Sequence, residues 1–357
     1  MSRAMEGTVF STASAIGLNE AERRDRMSAY LQQHTIREDT PAPDYIYNVG
    51  GVNVMPKKSL TVVSGAKKGG KSNWVGVLIA AALSEEHTQI DGSVRYLPRD
   101  RPQVVIMDTE QPLHDASRTY MRMMASAGLK GKKWTDYGVT AYSIRAVPDG
   151  EKPEQWRRLA VEIALQTHSP SLLVIDGLAD MLPSVNAEQS AGELFSWIAN
   201  IADSYNVNVI GCLHTKRGGG GVEGWSGNIA EKKYSDGFTV RKENDKRTFT
   251  VSHEGRGECA HDITFAISTE PGDEVGTWVS ATAVRQQKQA DKAKEKQDKD
   301  TELLDGAPLP CSITQLIDYL DAHDINKRTA KEWISKWRRA GILTDSKQGR
   351  TVILSKA

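Results

Sequence analysis

The sequence predicts an α/β protein whose main domain contains a mainly parallel sheet. Four short apolar runs, at residues 60–63, 104–107, 172–175 and 207–213, alternate with segments that have helical spacing. Uninterrupted apolar runs of this length are typical of strands buried on both faces, as in parallel sheets with crossover helices. A glycine-rich segment, residues 65–72, follows the first run directly and has the pattern G-x-x-x-x-G-K-[ST]. A strand, a glycine-rich turn and a helix in this order indicate a phosphate-binding α/β domain.

The residue types in segment 65–72 suit the binding of a nucleoside triphosphate. Glycines lack a Cβ atom, so successive backbone N–H groups can close around phosphate oxygens, and the following helix adds its positive N-terminal end. Lys71 is expected to reach the β and γ phosphates, and the hydroxyl of Ser72 is expected to bind Mg²⁺. The alternative is a chance glycine-rich turn. The predicted nucleotide-binding residues are Gly65, Ala66, Lys67, Lys68, Gly69, Gly70, Lys71, Ser72 and Asn73.

Composition limits the setting but names no partner. The 357 residues are enough for two or three domains, and the 46 basic residues equal the 46 acidic ones, so affinity for nucleic acid must come from local patches. The three cysteines are widely separated, which favours free thiols in a reducing compartment over a metal site. The N-terminus has no signal-peptide pattern and no apolar run approaches ~20 residues, so we expect a soluble, cytoplasmic protein without membrane contact.

Shifts in composition divide the chain into four parts. Residues 1–42 form a polar arm, residues 43–284 the main α/β domain, residues 285–304 a charged linker and residues 305–357 a small C-terminal domain. The arm contains a candidate amphipathic helix at residues 19–34, with an apolar stripe too narrow to form a core. We expect this helix to pack on the main domain or on a neighbouring subunit. The linker is expected to be a tether, either a solvated helix or a flexible segment.

Carboxylates follow the second and third apolar runs. Because open α/β sheets bind ligands at the carboxyl ends of their strands, these side chains should converge on the phosphate loop. Glu110 is the candidate general base that activates water for attack on the γ-phosphate, and the alternative is a loop glutamate without a catalytic role. Asp176 has the position of a metal-binding aspartate and is predicted to hold Mg²⁺ with Ser72. The alternative for Asp176 is a helix N-cap.

The fourth apolar run ends at His214, whose side chain is predicted to touch the γ-phosphate; a core or loop histidine is the alternative. The following segment, residues 216–228, is rich in glycine and carries Lys216, Arg217 and Trp225. Cations beside an aromatic stacking surface are what a single strand of nucleic acid binds. We therefore predict single-stranded DNA contacts at these three residues, with a plain flexible loop as the alternative.

These segments and their order resemble the RecA-like P-loop ATPases. Within them, the chain looks like the DnaB-like and plasmid RepA-type hexameric replicative helicases and related AAA-family proteins of mobile elements. The resemblance covers about residues 43–270 and implies a RecA-like core that uses ATP and Mg²⁺. It implies that Glu110 is the catalytic glutamate, Asp176 the Walker B acid and His214 the γ-phosphate sensor. It also implies two DNA-contacting loops, near residues 180–190 and 216–228.

The same resemblance implies an arginine finger that one subunit supplies to the next. Residues 248–257 look like the family's strand with a basic tip, and Arg256 is the best match. A finger offsets the negative charge that develops in the transition state, so hydrolysis requires assembly. The tip lacks the Lys-x-Arg doublet seen in much of the DnaB group, and Arg241, Lys242 and Arg217 remain alternatives for this role.

The C-terminal domain resembles a winged helix. Residues 312–320 and 327–340 read as two helices, and residues 342–354 read as a hairpin with a turn at 347–350. In that family the second helix enters the major groove of DNA and the hairpin tip touches the backbone. The predicted phosphate contacts are Lys327, Arg328, Lys331, Lys336, Lys347 and Arg350, with Arg338 and Arg339 as further candidates. Binding to a protein is the alternative, and Trp333 and Trp337 are predicted to be core residues.

The prediction from the sequence is therefore an ATPase that assembles into a ring, with a hexamer expected, and moves along single-stranded DNA. Duplex DNA is a further expected partner, through the C-terminal domain. The resemblance places this activity in the replication of a plasmid, phage or mobile element. One alternative is a DNA-bound ATP-dependent regulator or loader that recruits a partner without unwinding. Another is a KaiC-like or recombination-mediator ATPase that signals through rings or filaments.

Overall fold

The computed structural model describes residues 19–33, 35, 39–183, 188–215, 233–244, 247–255, 258–269, 275–286, 289, 302–348 and 351–356. The chain divides into two compact units, Met1–Val284 and Arg285–Ala357. Within the described ranges, no helix is long and apolar enough to cross a membrane.

Among the described residues of the first unit, five helices and thirteen strands have defined bounds, and residues 281–284 are helical as well. In chain order they are α1 (Glu20–Gln33), β1 (Tyr45–Val49), β2 (Val52–Pro56), β3 (Leu60–Gly65), α2 (Lys71–Leu83), β4 (Thr88–Gln89), β5 (Val94–Tyr96), β6 (Val104–Asp108), α3 (Leu113–Ser126), β7 (Val139–Ser143), α4 (Pro153–His168), β8 (Leu172–Asp176), α5 (Glu188–Ser204), β9 (Asn208–His214), β10 (Asp236–Lys242), β11 (Thr248–Gly255), β12 (Ile263–Ser268) and β13 (Thr277–Ser280). Two short 3₁₀ helices, Trp134–Tyr137 and Leu178–Met181, complete it.

The main sheet has nine strands and is mostly parallel, which confirms the predicted α/β class. Its order is β13-β12-β11-β10-β3-β9-β8-β6-β7. Every neighbouring pair from β10 to β7 is parallel, and the pairs from β10 to β13 are antiparallel. The four predicted apolar runs lie in β3, β6, β8 and β9, at the centre of the parallel part.

Helices cover both faces of this sheet, which explains why its central strands are apolar without alternation. Ile106 packs in one core cluster with Leu78 of α2, whereas its neighbour Val105 packs in a second cluster with Leu165 of α4. Successive residues of a strand point to opposite faces, so both sets must be apolar when helices lie on both sides. The crossover helices α2 and α3 therefore begin at the carboxyl edge of the sheet, where the polar residues gather.

Two further parts flank this core. Strands β1, β2, β4 and β5 form a separate four-stranded sheet, and the buried hydroxyl of Tyr47 in β1 donates to the carbonyl oxygen of Leu78 at 2.9 Å. Helix α1 begins with a reciprocal cap between Asn19 and Glu22. On α1, Met27 and Leu31 are 56% and 59% exposed, so within the described residues this apolar stripe is not buried on the main domain. Packing on a neighbouring subunit, the other expectation, stays a prediction.

The second unit contains β14 (Cys311–Ser312), α6 (Ile313–Asp321), α7 (Lys327–Arg339), β15 (Leu343–Gln348) and β16 (Thr351–Lys356), with strand order β14-β16-β15. Ser312 and Gln315 form a capping box at the start of α6, and Asn326 caps α7. Trp337 is fully buried in the core of this unit and Trp333 packs against it. Leu304 is also buried in this core, although composition assigns it to the charged linker.

Candidate nucleotide-binding and catalytic site

The phosphate loop connects β3 to α2 and has the backbone that its glycines permit. Gly70 has a φ of 100°, in the left-handed region, and a Cβ there would lie 2.3 Å from Cδ1 of Phe249. A Cβ on Gly65 would lie 2.7 Å from the carbonyl oxygen of Val240. Gly69 closes the turn by donating its N–H to the carbonyl oxygen of Ala66 at 2.8 Å. Packing as well as phosphate access therefore requires glycine at positions 65 and 70.

Lys71 is held beneath this loop at the first position of α2. Its side chain is buried, and Nζ lies 2.9 Å from Nδ1 of His214 and 3.4 Å from the carbonyl oxygen of Ala66. A lysine ammonium has donors only, so Nδ1 of His214 must accept this hydrogen bond and the imidazole proton must be on Nε2. The end of β9 and the phosphate loop are therefore joined through two polar side chains.

Glu110 completes this chain of hydrogen bonds. Nε2 of His214 donates to Oε1 of Glu110 at 2.9 Å. This hydrogen bond lowers the pKa of Glu110; burial opposes the effect, and the positive charge of Lys71 adds to it. The carboxylate is therefore ionised at neutral pH, as a general base must be.

Ser72 and Asp176 form the second polar pair. The Ser72 hydroxyl donates to Oδ2 of Asp176 at 2.6 Å, and Nε2 of Gln111 donates to the same oxygen at 3.3 Å. Burial raises the pKa of Asp176, and the hydrogen bond from Ser72 lowers it in part. A hydroxyl and a buried carboxylate are hard oxygen ligands, so the two residues fit Mg²⁺, which would neutralise phosphate charge there.

Asp108, at the end of β6, is a residue whose role the sequence does not indicate. It is only 1% exposed, and Oδ1 accepts the backbone N–H groups of Glu110 and Gln111 at 3.0 and 2.8 Å. Oδ2 accepts Nε2 of Gln111 at 3.0 Å. Burial raises the pKa of Asp108 to about 6, and the nearby charge of Asp176 adds to this rise. Asp108 therefore holds the turn that carries Glu110.

Asn73, predicted to bind nucleotide, connects three elements of the fold. Its Oδ1 accepts hydrogen bonds from Arg122 of α3 at 3.2 Å and from the indole nitrogen of Trp278 in β13 at 3.3 Å. Arg122 also donates to the carbonyl oxygen of Val275 at 2.8 Å. The carbonyl oxygen of the Asn73 side chain therefore ties the first turn of α2 to its neighbours.

The structure brings together five of the predicted site residues: Lys71, Ser72, Glu110, Asp176 and His214. They lie at the carboxyl ends of the parallel strands, as the sequence predicts. Strand register explains this arrangement, because Gly65 pairs with His214 and Asp108 pairs with Asp176. Lys216, Arg217, Trp225, Arg256 and Arg350 lie outside the described residues, and their predicted roles stay predictions.

The alternatives to Arg256 can be placed. Arg241 and Lys242 directly follow Val240, which pairs with Gly65 at the start of the phosphate loop. Gly255, the residue before Arg256, pairs with Asp236 at the opposite end of the sheet. The Arg241 side chain donates to the hydroxyl of Ser252 at 3.0 Å.

The cations predicted on the second unit differ in their surroundings. Lys327 lies 3.9 Å from carboxylate oxygens of both Asp318 and Asp321, and Arg328 lies 3.5 Å from Glu332. Arg338 pairs with Asp345. The remaining described candidates, Lys331, Lys336, Arg339 and Lys347, are exposed. Exposed ion pairs are weak, so the paired cations can still exchange a carboxylate for a phosphate.

Comparison with known families places this site in context. The profile of the AAA domain family matches residues 22–220, which is more than half of the 357-residue chain. The matched range includes Lys71, Ser72, Glu110, Asp176 and His214. No curated protein matches the chain significantly. The chain therefore belongs to the AAA domain family of P-loop ATPases.

Proposed function

We propose that the chain is an ATP-hydrolysing, DNA-binding motor: a ring-forming helicase or translocase that acts on single-stranded DNA. Membership of the AAA domain family supports ATP-dependent activity in general. The main support for ATP hydrolysis is a chain of hydrogen bonds from Lys71 through His214 to Glu110. The hydrogen-bonded pair of Ser72 and Asp176 supports it further. One edge of the sheet thus holds a phosphate-binding cation, a base and a cation-binding pair.

The chemistry assigned to each side chain follows from its type. Backbone N–H groups of the loop and Lys71 bind the phosphates, and Ser72 with Asp176 hold Mg²⁺. Glu110 accepts a proton from a water molecule as the water oxygen attacks the γ-phosphorus. The bond between the γ-phosphorus and the oxygen that leaves with the β-phosphate then breaks. His214 contacts both Lys71 and Glu110, so it can report phosphate binding to the base.

Assembly supplies the remaining charge in this proposal. A neighbouring copy would place an arginine near the γ-phosphate, and a closed ring of six copies lets each interface complete one site. Arg256 remains the candidate from family resemblance. Arg241 and Lys242 gain support from their place at the phosphate-loop end of β10.

DNA contacts are proposed at two places. In the first unit they are the loops near residues 180–190 and 216–228, with Lys216, Arg217 and Trp225. In the second unit the order of β14, α6, α7, β15 and β16 supports a winged helix, in which α7 would enter the major groove. Lys331, Lys336 and Lys347 of this unit are exposed, and we propose that they contact DNA phosphates. We place the motor in the replication of a plasmid, phage or mobile element.

Turnover of ATP with and without single-stranded DNA, measured across protein concentration, tests this function. The proposal expects strong stimulation by DNA and a steep rise with concentration, because sites are completed at interfaces. Turnover per subunit that changes neither with single-stranded DNA nor with protein concentration would contradict the motor. It would fit a regulator or loader that recruits a partner without unwinding.

Mixing of variants tests the shared site. Glu110→Ala inactivates the base of its own subunit, while Arg241→Ala and Arg256→Ala each remove a candidate finger. Mixing Glu110→Ala with the correct finger variant should restore activity at interfaces that pair an intact base with an intact arginine. If no mixture recovers activity for either arginine, neither one acts between subunits.

A further inference from the structure

Thr109, the residue before the proposed base Glu110, forms hydrogen bonds with the segment that follows β8. Thr109 is 2% exposed, and its N–H donates to the carbonyl oxygen of Asp176 at 3.0 Å. Its hydroxyl lies 2.7 Å from Oδ2 of Asp180, 3.1 Å from the Asp176 carbonyl oxygen and 3.2 Å from that of Gly177. One hydroxyl has one proton, and the carboxylate is both the nearest and the strongest acceptor. Thr109 therefore donates to Asp180.

Gly177 allows these two segments to meet. It has a φ of 100°, and a Cβ there would lie 2.0 Å from Oγ1 of Thr109 and 2.9 Å from Cγ of Glu110. The same atom would lie 3.3 Å from Oδ2 of Asp180. The side chain of Glu110 thus rests directly on the backbone of the loop after β8, beside the bond between Thr109 and Asp180.

The loop that carries Asp180 is itself held from outside the site. Arg157 of α4 donates through Nη1 to the carbonyl oxygen of Asp180 at 2.9 Å and through Nε to that of Ile144 at 3.3 Å. Arg158 donates to the carbonyl oxygen of Met181 at 3.2 Å. A movement of this loop relative to α4 must therefore break the hydrogen bonds from Arg157 and Arg158. The same movement must either break the hydrogen bond between Asp180 and Thr109 or displace Thr109.

We propose that Asp180 is a positioning residue for Glu110, acting through the hydroxyl of Thr109. This inference rests on the proposed function, because Glu110 is taken to be the base. Asp180 is the first residue of the segment near 180–190 that is proposed to contact DNA. A displacement of Asp180 on DNA binding would therefore reach Glu110 through the hydrogen bond between Asp180 and Thr109. The bond gives DNA binding a direct route to the rate of hydrolysis, separate from nucleotide affinity.

Conservative variants of Thr109 isolate that bond. Thr109→Val keeps the shape and removes the donor, whereas Thr109→Ser keeps the donor. We expect Thr109→Val to lower kcat by about 10- to 100-fold with less than about a threefold change in KM for ATP, as misplacement of a base does. The ratio of DNA-stimulated to basal turnover should fall as well. Thr109→Ser should stay within about threefold of wild type, and Thr167→Val, at an exposed hydroxyl on α4, should match wild type.

Asp180→Ala completes a double-mutant cycle. It should lower kcat as Thr109→Val does, and the double variant should be no slower than either single one, because both remove the same bond. Equal losses in Thr109→Val and Thr109→Ser would mean that packing matters and the bond does not, which overturns the proposal. Wild-type kcat in Thr109→Val would overturn it too.

A thermal unfolding cycle on the same variants separates this inference from the proposed function. Non-additive shifts of Tm for Thr109→Val and Asp180→Ala are expected whether or not the chain hydrolyses ATP. If wild type shows coupling but no turnover, the proposed function fails and the contact stands without a catalytic role. If the shifts are additive, the positioning bond is refuted even when wild type is an active ATPase.

Discussion

Asp108→Asn should stabilise the protein at alkaline pH, because the folded state keeps this carboxyl in an unfavourable place for a negative charge. The carboxyl is almost completely buried, and its pKa rises from 3.8 to about 6, mainly through loss of hydration. Between about pH 4 and pH 6 the folded protein holds a proton that the unfolded chain releases. The free energy of unfolding therefore falls as the pH rises through that window, and the loss is complete above it.

The size of the effect follows from the pKa shift and the hydrogen bonds. A shift of about two pKa units corresponds to roughly 3 kcal/mol of stability lost at pH 8. Asparagine removes this loss and keeps the oxygen that accepts the N–H groups of Glu110 and Gln111. Its amide nitrogen replaces the oxygen that accepts from the Gln111 side chain, which costs about 1 kcal/mol. The net gain should be ~2 kcal/mol at pH 8 and well under ~1 kcal/mol at pH 5.

Denaturant unfolding of wild type and Asp108→Asn from pH 5 to pH 8, without Mg²⁺ or nucleotide, measures this difference. A cation bound at Asp176 would change the charge near Asp108, so both must be left out. Asp136→Asn, at an exposed carboxyl, is the matched control for the loss of one negative charge. A gain that does not grow with pH, or a loss of stability at pH 8, would refute the reasoning from burial.

Other consequences of the structure can be measured separately. His214→Ala removes the hydrogen bond that lowers the pKa of Glu110, so the acidic limb of the pH–rate profile should move to higher pH; an unmoved limb would exclude Glu110 as the titrating base. Ser72→Ala should reduce the rise in Tm that Mg²⁺ with nucleotide produces, because one of the two proposed ligands is lost; an unchanged rise would remove Ser72 from the metal site. Gly76→Ala places a Cβ 2.2 Å from Cη2 of buried Trp278 and should cost about 2–3 kcal/mol in unfolding experiments. Gly192→Ala, with nothing within 4 Å, should instead stabilise helix α5 by about 0.5–1 kcal/mol, and similar effects of the two substitutions would contradict the packing described.

The parallel core could be predicted because its signals are local. Each central strand is a short apolar run, and the phosphate loop is a contiguous pattern between a strand and a helix. Glu110, Asp176 and His214 each follow such a run, so the carboxyl-edge rule of open sheets was enough to bring them together. The structure agrees with that geometry, in which Lys71, His214 and Glu110 form one chain.

The roles of Asp108 and Asp180 could not be predicted, because they depend on pairing between distant segments. Asp108 reads as the last residue of a strand, and its burial arises from its register opposite Asp176. The contact of Thr109 with Asp180 requires the positive φ of Gly177, which no local pattern reveals. Gly177 is the sequence feature that indicates such a contact, since a glycine directly after Asp176 permits a close approach of another segment.

Two further features could not be predicted either. Gly255, the last described residue before Arg256, lies at the end of β11 away from the phosphate loop, because β11 runs antiparallel to β10. The sequence predicted a strand with a basic tip but carried no information on its direction. Leu304 belongs to the core of the second unit, yet two leucines at the end of a charged run were too weak a signal to move the boundary.

The most direct test of the central claim is the release of phosphate from ATP by wild type and by Lys71→Ala in the presence of Mg²⁺. Lys57→Ala, at an exposed lysine paired with Asp44, is the control for loss of one positive charge. The structure predicts turnover by wild type and by the control, and a loss of at least about 100-fold in Lys71→Ala, since its ammonium is the buried cation beneath the phosphate loop. Wild-type turnover in Lys71→Ala would contradict the assignment of the loop as the site of ATP hydrolysis.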